Sequence, residues 1–354
     1  MSSEVKQLAS FRAKFHENPY RSISQDYFEW KLLKNPYLKG HIYLETKDGK
    51  VIGSASITPK KISVLGGTVL GGEFCDAFTS ADHRRKGVFS RGMQAGIDYA
   101  LEHGIQVLYG TPSYGSPSSL GFQSKLNCRV CSSVSLRYMS KVLRPLKSFV
   151  KLALKAILKE KIRSSKRFDT LTKQVFNKYT CKTSTIDIQS VTVSSVDSFN
   201  DEIDGLWGQK QYAFCTIRDQ AYLNWRFFEN PDSYIFLVAR RNRECLGYLA
   251  AKISRNKKTA VICDYITHDD DNMHIFRLLL AKIEKILKQQ KVHQLTTYCV
   301  HNSPYFRVFE ESFYFDHGLE RSFSTVLFYG TELGKQLYST QQPWHFTLAD
   351  TDNI

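Results

Sequence analysis

The chain has 354 residues and a formal charge of +15. At about 150 residues per domain it is long enough for two. Its 42% hydrophobic and 23% charged residues exclude wholesale disorder, and 20 Gly and 9 Pro exclude a fibrous or low-complexity chain. The charge admits nucleic acid, a membrane surface or an anionic ligand until it is located.

The first residues, Met1 to Phe15, alternate polar, charged and apolar side chains. They lack the apolar run of a signal peptide, and no stretch of about 20 apolar residues predicts a spanning helix. A cytoplasmic protein is expected. Cys75, Cys263 and Cys299 sit among apolar neighbours and read as small core residues of a reducing compartment. Cys128 and Cys131 form a single CxxC with no second pair and no histidines at ligand spacing, so no metal is expected.

Taken in chain order, the elements occur twice. Gln25-Asp-Tyr-Phe-Glu-Trp-Lys-Leu-Leu-Lys-Asn-Pro36 is answered by Gln220-Ala-Tyr-Leu-Asn-Trp-Arg-Phe-Phe-Glu-Asn-Pro231. Trp30 thereby matches Trp225, and the Asn-Pro pairs match each other. Strand signals follow at 41–44 and 234–237, at 51–57 and 245–251, and at Phe74–Phe78 and Ile262–Ile266. Helical runs then appear over 89–103 and 275–290, and a further strand over 106–109 and 294–299. Closing strands are expected over 130–139 and 322–329. Two copies mean tandem domains. The Gly66-Gly67 turn makes the strands before and after it antiparallel. The fold class is α+β: two domains, each a mixed, mostly antiparallel sheet flanked by helices, spanning 1–140 and 186–354. Because Trp30 and Trp225 occur in both copies, they read as structural anchors, with the prolines as turn stops.

Chemistry concentrates in the first copy. A strand ends near Thr79, the basic turn Arg84-Arg85-Lys86-Gly87 follows, and a helix opens at Val88-Phe89-Ser90. The first turn of a helix has unpaired N–H groups and a positive dipole end, so it attracts anions. Three basic residues at that end oppose the dipole unless an anion lies between them. The second copy has Thr267-His-Asp-Asp-Asp-Asn-Met-His274 there, acidic and without the glycine. One anion site per chain is expected.

These residues resemble the GNAT N-acetyltransferases. Their acyl-CoA loop reads Q/R-x-x-G-x-G/A, and Arg84-Arg-Lys-Gly87-Val-Phe89 departs from it only at Phe89. The segment Gly110 to Gly121-Phe122 resembles the family's Gly-Phe ending. The resemblance implies transfer of an acetyl group from acetyl-CoA to an amine within a ternary complex. It implies cofactor contacts from Phe78, Thr79, Arg84, Arg85, Lys86, Gly87, Val88, Phe89 and Ser90. For the base, Glu73 and Asp76 lie on the strand beside the acyl site; Glu73 is preferred, because Asp76 has the counterpart Asp264 in the copy that lacks the loop. Residues three apart on a regular strand face opposite sides, and a bulge would change which one reaches the cleft. For the acid, the family's tyrosine position is Pro117 here, and Tyr114 is the nearest tyrosine.

Residues 137–182 carry fourteen Lys and Arg against Glu160 and Asp169, a local balance of +12. Over 141–162 the basic residues share one helical face and Leu143, Leu146, Phe149, Val150, Leu154 and Ile157 the other. A basic amphipathic connector over 141–185 therefore joins the domains. It packs as a solvated linker helix, lies on an anionic membrane surface, or takes an anionic substrate. No nucleic-acid motif accompanies it, so no nucleic-acid partner is expected. The acceptor is expected to be a small amine, an amino sugar of surface-polysaccharide assembly by analogy of fold and size. The alternatives are acyl or aminoacyl transfer to a peptide or peptidoglycan precursor, and a non-catalytic CoA-binding scaffold.

Overall fold

The computed structural model describes residues 3–15, 20, 23–112, 129–130, 136–144, 191–208, 212–268, 273–301, 303–318, 327–328, 332–337 and 343–351. The connector beyond Arg144, the Cys128–Cys131 pair, Tyr114 and Pro117 lie outside them. Of the segment read as the start of the connector helix, Lys141 and Val142 are strand.

The first copy opens with helices α1 (Ser3–Ala13) and α2 (Gln25–Phe28). The Ser24 hydroxyl caps α2 by accepting the Tyr27 N–H, and α2 runs into a wide π turn, Glu29–Leu33. Strands β1 (His41–Lys47), β2 (Lys50–Val64) and β3 (Gly67–Thr79) make two hairpins. Their turns, Asp48-Gly49 and Leu65-Gly66, hold both residues at positive φ, the geometry that suits the twist of paired strands. Helix α3 (Val88–Glu102) crosses the sheet, and β4 (Val107–Gly110) joins β3 in parallel. Gly96 lets α3 sit close, since a Cβ there would lie 3.0 Å from Ile57 Cδ1.

The remaining strands of this region are β5 (Arg129–Val130) and β6 (Leu136–Val142). The second copy contains β7 (Val191–Ser195), α4 (Glu202–Gly208), β8 (Phe214–Thr216) and α5 (Gln220–Leu223), the last capped by Asp219 and followed by the π turn Asn224–Phe228. Then come β9 (Ile235–Arg241), β10 (Glu244–Ile253), β11 (Thr259–Thr267), α6 (His274–Gln289), β12 (Gln294–Val300) and α7 (Pro304–Glu311). Strands β13 (Phe315–Asp316) and β14 (Leu327–Phe328) close the described sheets. β11 and β12 are parallel like β3 and β4, and the other strand ladders of the described residues are antiparallel. The mixed α+β architecture with two repeated units is as the sequence reads.

Sheet membership does not follow the limits drawn at 140 and 186. Strand β6 lies in the second copy's sheet, between β12 and β13, while β14 lies in the first copy's sheet, between β4 and β5. Strand β8 also pairs with β2. An alternating pattern marks a segment as strand but says nothing of which edge it joins. The two copies thus exchange their closing strands.

The face between them is a shared core. Val5, Leu8, Tyr27, Phe28 and Trp30 pack with Phe199, Tyr222, Trp225, Phe236 and Tyr248. At its centre the indoles of Trp30 and Trp225 stack at 4.9 Å. Each donates to the other's backbone: Trp30 Nε1 to Trp225 O at 2.6 Å and Trp225 Nε1 to Trp30 O at 3.1 Å. The π turns make this possible. Lys34 N–H bonds back to Glu29 O and Glu229 N–H to Asn224 O, five residues away, which skips the two tryptophan carbonyls. Asn35 and Asn230 then accept from the N–H two residues on, which turns the chain at each Asn-Pro. The structural reading of these residues holds, with a mutual contact that the sequence comparison did not anticipate.

Replacing Trp225 with Ala removes the stack and leaves the buried Trp30 O without its indole donor, while Trp30 Nε1 keeps the main-chain carbonyl of residue 225. It is expected to cost about 3–5 kcal/mol. In urea the variant unfolds earlier in a single transition reported alike by probes in both copies; two separate transitions would contradict the shared core.

Candidate active site

The site grows out of the divergence of β3 and β4. Their parallel pairing runs from Gly71 opposite Val107 to Phe74 opposite Gly110 and stops there. Beyond it, β3 carries a bulge: Ser54 faces Phe78 and Ser56 faces Cys75, and Asp76 is accommodated at φ 51°. The bulge settles the question of sides. Asp76 meets Ser56 and Glu73 meets Lys60, two residues of one β2 face, so both carboxylates lie on the side away from α3.

The loop after β3 has the features of an anion cradle. Ala81–His83 form a short 3-10 turn, Arg85 takes φ 62° and Gly87 takes φ 80° directly before α3. Helix α3 has no acidic residue in its first turn and no side chain caps it, as in its counterpart α6, whereas Ser24, Asp219 and Ser303 cap α2, α5 and α7. Arg84, Arg85, Lys86 and Gly87 are exposed, Phe89 and Ser90 half-buried, and Val88 buried beneath them. A helix start left without caps, with three cations above it, can take a diphosphate. Arg91, which the motif does not flag, holds the loop from below: it pairs with Glu45 through Nε at 3.1 Å and Nη2 at 2.5 Å, and Nη2 also donates to Lys86 O. The Arg91 hydrogen bond keeps the Glu45 carboxyl below its ordinary range. A Cβ at position 87 would lie 2.7 Å from Arg91 Nη1.

The other candidates are distributed as follows. Phe78 stacks on Phe15 at 4.4 Å with Arg12 over its ring, so its side chain braces the α1 segment, and Phe78 and Thr79 lie on β3 beyond the end of its pairing with β4. Asp76 is buried, accepting from Lys31 Nζ at 2.6 Å and Ser56 Oγ at 2.8 Å, with Arg12 Nε 3.8 Å away. Its counterpart Asp264 is likewise buried and ion-paired, with Arg218. That shared arrangement fits a strut. Glu73, 1% exposed, accepts from Lys60 Nζ at 2.7 Å. Lys60 also donates to Tyr109 Oη at 2.8 Å and Asp350 O at 2.7 Å. Burial, with Glu73 and Asp350 nearby, pushes the Tyr109 phenol far up, so it stays a neutral donor, here to Asp350 O. Residue 73 has the apolar counterpart Val261, so this carboxylate is particular to the first copy. Lys60, Tyr109 and Asp350 were not singled out by motif. Lys60 alone had a signal: it shares strand parity with the buried Ile62 and Val64.

The equivalent region of the second copy is filled. Thr267, counterpart of Thr79, gives its N–H to Tyr305 Oη at 3.0 Å. The rings of Tyr265, Tyr305 and His345 pack on one another there. The acidic turn 269–272 lies outside the described residues. Among the described residues no group of three or more His, Cys, Asp or Glu side chains is placed to hold a metal, and no helix is long and apolar enough to cross a membrane.

Comparison with known proteins bears on the same region. Residues 2–125 match the model of the acetyltransferase (GNAT) domain. In fold the chain is similar to a tandem GNAT protein from the clavulanic acid biosynthesis pathway, at 12% identity over 92% of this chain and 94% of that one, with a TM-score of 0.58. It is also similar to a probable N-acyltransferase from Enterococcus faecalis, at 11% identity over 93% and 71%, with a TM-score of 0.54. A third likeness is to Saccharomyces cerevisiae N-myristoyltransferase with bound myristoyl-CoA, at 13% identity over 86% and 73%, with a TM-score of 0.55. No curated protein matches the chain in sequence. At these identities the structural likenesses speak for the fold.

Gly87→Glu puts a carboxylate and a strained φ into the cradle at an exposed position. It is expected to abolish acetyl-CoA binding in calorimetry while the far-UV circular dichroism stays that of the parent. Unchanged affinity would refute the cradle.

Proposed function

We propose that this chain, which carries a GNAT domain match over residues 2–125 and has the fold of a tandem GNAT protein, is an N-acyltransferase that moves an acetyl group from acetyl-CoA to a primary amine at one site, in the first copy. The observation that carries the reading is the contrast between the copies: a basic, glycine-led helix start at Arg84–Gly87 in one, and Tyr265, Tyr305 and His345 packed beside Thr267 in the other.

Arg84, Arg85, Lys86 and the N–H groups from Gly87 to Ser90 bind the diphosphate of CoA. The main chain of Phe78 and Thr79 orients the thioester arm, and a β3 N–H polarises the carbonyl. The amine nitrogen bonds to that carbonyl carbon as the carbon–sulfur bond breaks. Glu73 receives the proton that the amine sheds, and Tyr114 returns one to the departing thiolate. A small cavity beside Glu73, walled by Trp30, Lys31, Thr58, Lys60, Trp225 and Arg226, has room for about one water, which relays the proton. Asp76 holds Lys31 and the bulge in place. The second copy walls the acceptor cleft. Among amines, an amino sugar is the acceptor we favour.

The test is thiol release from acetyl-CoA against a panel of nucleotide-linked amino sugars, polyamines, amino acids and peptides. At least one amine is expected to be acetylated, and Glu73→Gln is expected to lower kcat about 100-fold or more with the KM for acetyl-CoA unchanged. Tight CoA binding with no turnover of any amine would favour the scaffold reading instead.

One observation favours a membrane role for the connector. Leu143 N–H bonds to His293 O and His293 N–H to Lys258 O, so the chain leaves β6 at an end that also carries Arg144, Lys257 and Lys258. The basic connector continues from there, and we propose that it rests on anionic lipid. Pelleting with phosphatidylglycerol vesicles is expected, and charge reversal at Lys151 and Lys155 is expected to weaken it; pelleting unaffected by the reversal would sink the idea.

A further inference from the structure

Arg218 follows β8 and is fully buried. Its guanidinium makes a two-pronged pair with Asp264, through Nε at 3.1 and 3.0 Å and Nη2 at 3.0 Å. Nη2 also reaches Asp350 Oδ2 at 2.7 Å and Thr347 Oγ1 at 3.1 Å. Nη1 donates to Thr216 O. Asp350 is thereby held by the second copy's side chains. The same carboxylate accepts the Thr347 N–H at 2.7 Å, which closes a capping box around the turn Leu348–Asp350. Tyr222 and Arg226 fix that turn further by donating to Ala349 O, and Arg226 to Thr351 O.

The backbone of Asp350 faces the other way. Its carbonyl accepts from Lys60 Nζ and from Tyr109 Oη, both at 2.7 Å. An ammonium has three N–H bonds, and Lys60 places them on Asp350 O, Tyr109 Oη and Glu73 Oε2. One residue near the end of the chain therefore joins the buried charges of the second copy, Asp264 and Arg218, to the lysine that grips Glu73. Burial alone would raise the Asp350 carboxyl, but Arg218 and Lys60 outweigh it and hold the group below the usual carboxylate range, so the link is charged at neutral pH.

We propose that Asp350, held by Arg218, is a positioning residue for the general base: it fixes Lys60, and Lys60 fixes Glu73. This rests on the reading of Glu73 as the base. The second copy then does more than wall the cleft, because it sets the orientation of the first copy's catalytic carboxylate. The groups that face Glu73 are Lys60 from β2, Tyr109 from β4, Lys31 and Arg226 from the two π turns, and Asp350 and Thr351 from the terminal segment. Lys60 is a cation in direct contact, at 2.7 Å. Its removal raises the pH at which Glu73 ionises, because a nearby positive charge favours the carboxylate.

A double-mutant cycle on the full chain tests the link, with acetyl-CoA and the amine that the panel selects. Lys60→Met is expected to lower kcat and to move the acid limb of the rate profile up by about one pH unit or more. Asp350→Asn is expected to lower kcat about tenfold, with the KM for acetyl-CoA unchanged, because a misplaced base loses rate without losing cofactor affinity. The double variant should be no slower than Lys60→Met alone, since Asp350 acts through Lys60. Losses that multiply, or a raised KM with kcat intact, would overturn the proposal. If Asp350→Asn does not fold, Tyr109→Phe removes another Lys60 contact with almost no change of shape; it should slow kcat and likewise add nothing to Lys60→Met, and a wild-type rate would overturn the proposal. Glu73→Gln separates the two readings. If it retains the wild-type rate and pH profile, the base assignment fails; if it is inactive while the cycle is additive, only the positioning role fails.

Discussion

The structure depends on one reciprocal contact. Trp30 and Trp225 occupy the same place in two copies of one unit, and each indole donates to the other's carbonyl across the stack. A π turn in each copy frees the carbonyl that the partner needs. The geometry is that of a two-fold dimer contact, in which the same patch serves both sides, but here it lies within one chain. Around it the shared core and the exchanged strands β6 and β14 leave neither copy with a complete sheet of its own. A symmetric interface of this kind lets one copy lose its chemistry while it keeps its structural task.

The divergence of the copies shows which task each kept. Both retain the buried aspartate near the bulge, Asp76 or Asp264, and both pair it with a cation. The partners differ: Lys31 serves the first, whereas the residue at the matching place, Arg226, turns to the terminal segment and Arg218 serves the second. The first copy alone has a carboxylate at 73 and the basic glycine turn. The second spends the same space on aromatic packing, with Tyr305 taking the N–H of Thr267. The unequal charge of the chain follows the same division, since the basic excess lies mainly in the connector and the small Arg84–Lys86 cluster is what remains for an anionic ligand.

Much of this was legible in the sequence for stated reasons. The repeat showed through the spacing of Trp30 and Trp225, and one hairpin showed through Gly66-Gly67, because turn geometry restricts residue choice. The loop at Gly87 was legible because three cations at a helix start oppose the dipole. The exchange of β6 and β14 was not, since alternation carries no information about partners. Nor was the shared face of Glu73 and Asp76, which depends on a bulge that no residue type announces. Lys60, Arg218 and Asp350 were the hardest to find. They are 290 and 132 residues apart in sequence from their partners, and a buried ion reads as a surface charge until its neighbours are in place.

Two copies of one unit fold together around the tryptophan pair, and the proposed acyl-CoA site belongs to the first copy alone. Native mass spectrometry of the full chain titrated with acetyl-CoA measures this most directly. The account predicts saturation at one acetyl-CoA per chain. Saturation at two would contradict it, because the second copy would then hold a cradle where Tyr265, Tyr305 and His345 now pack.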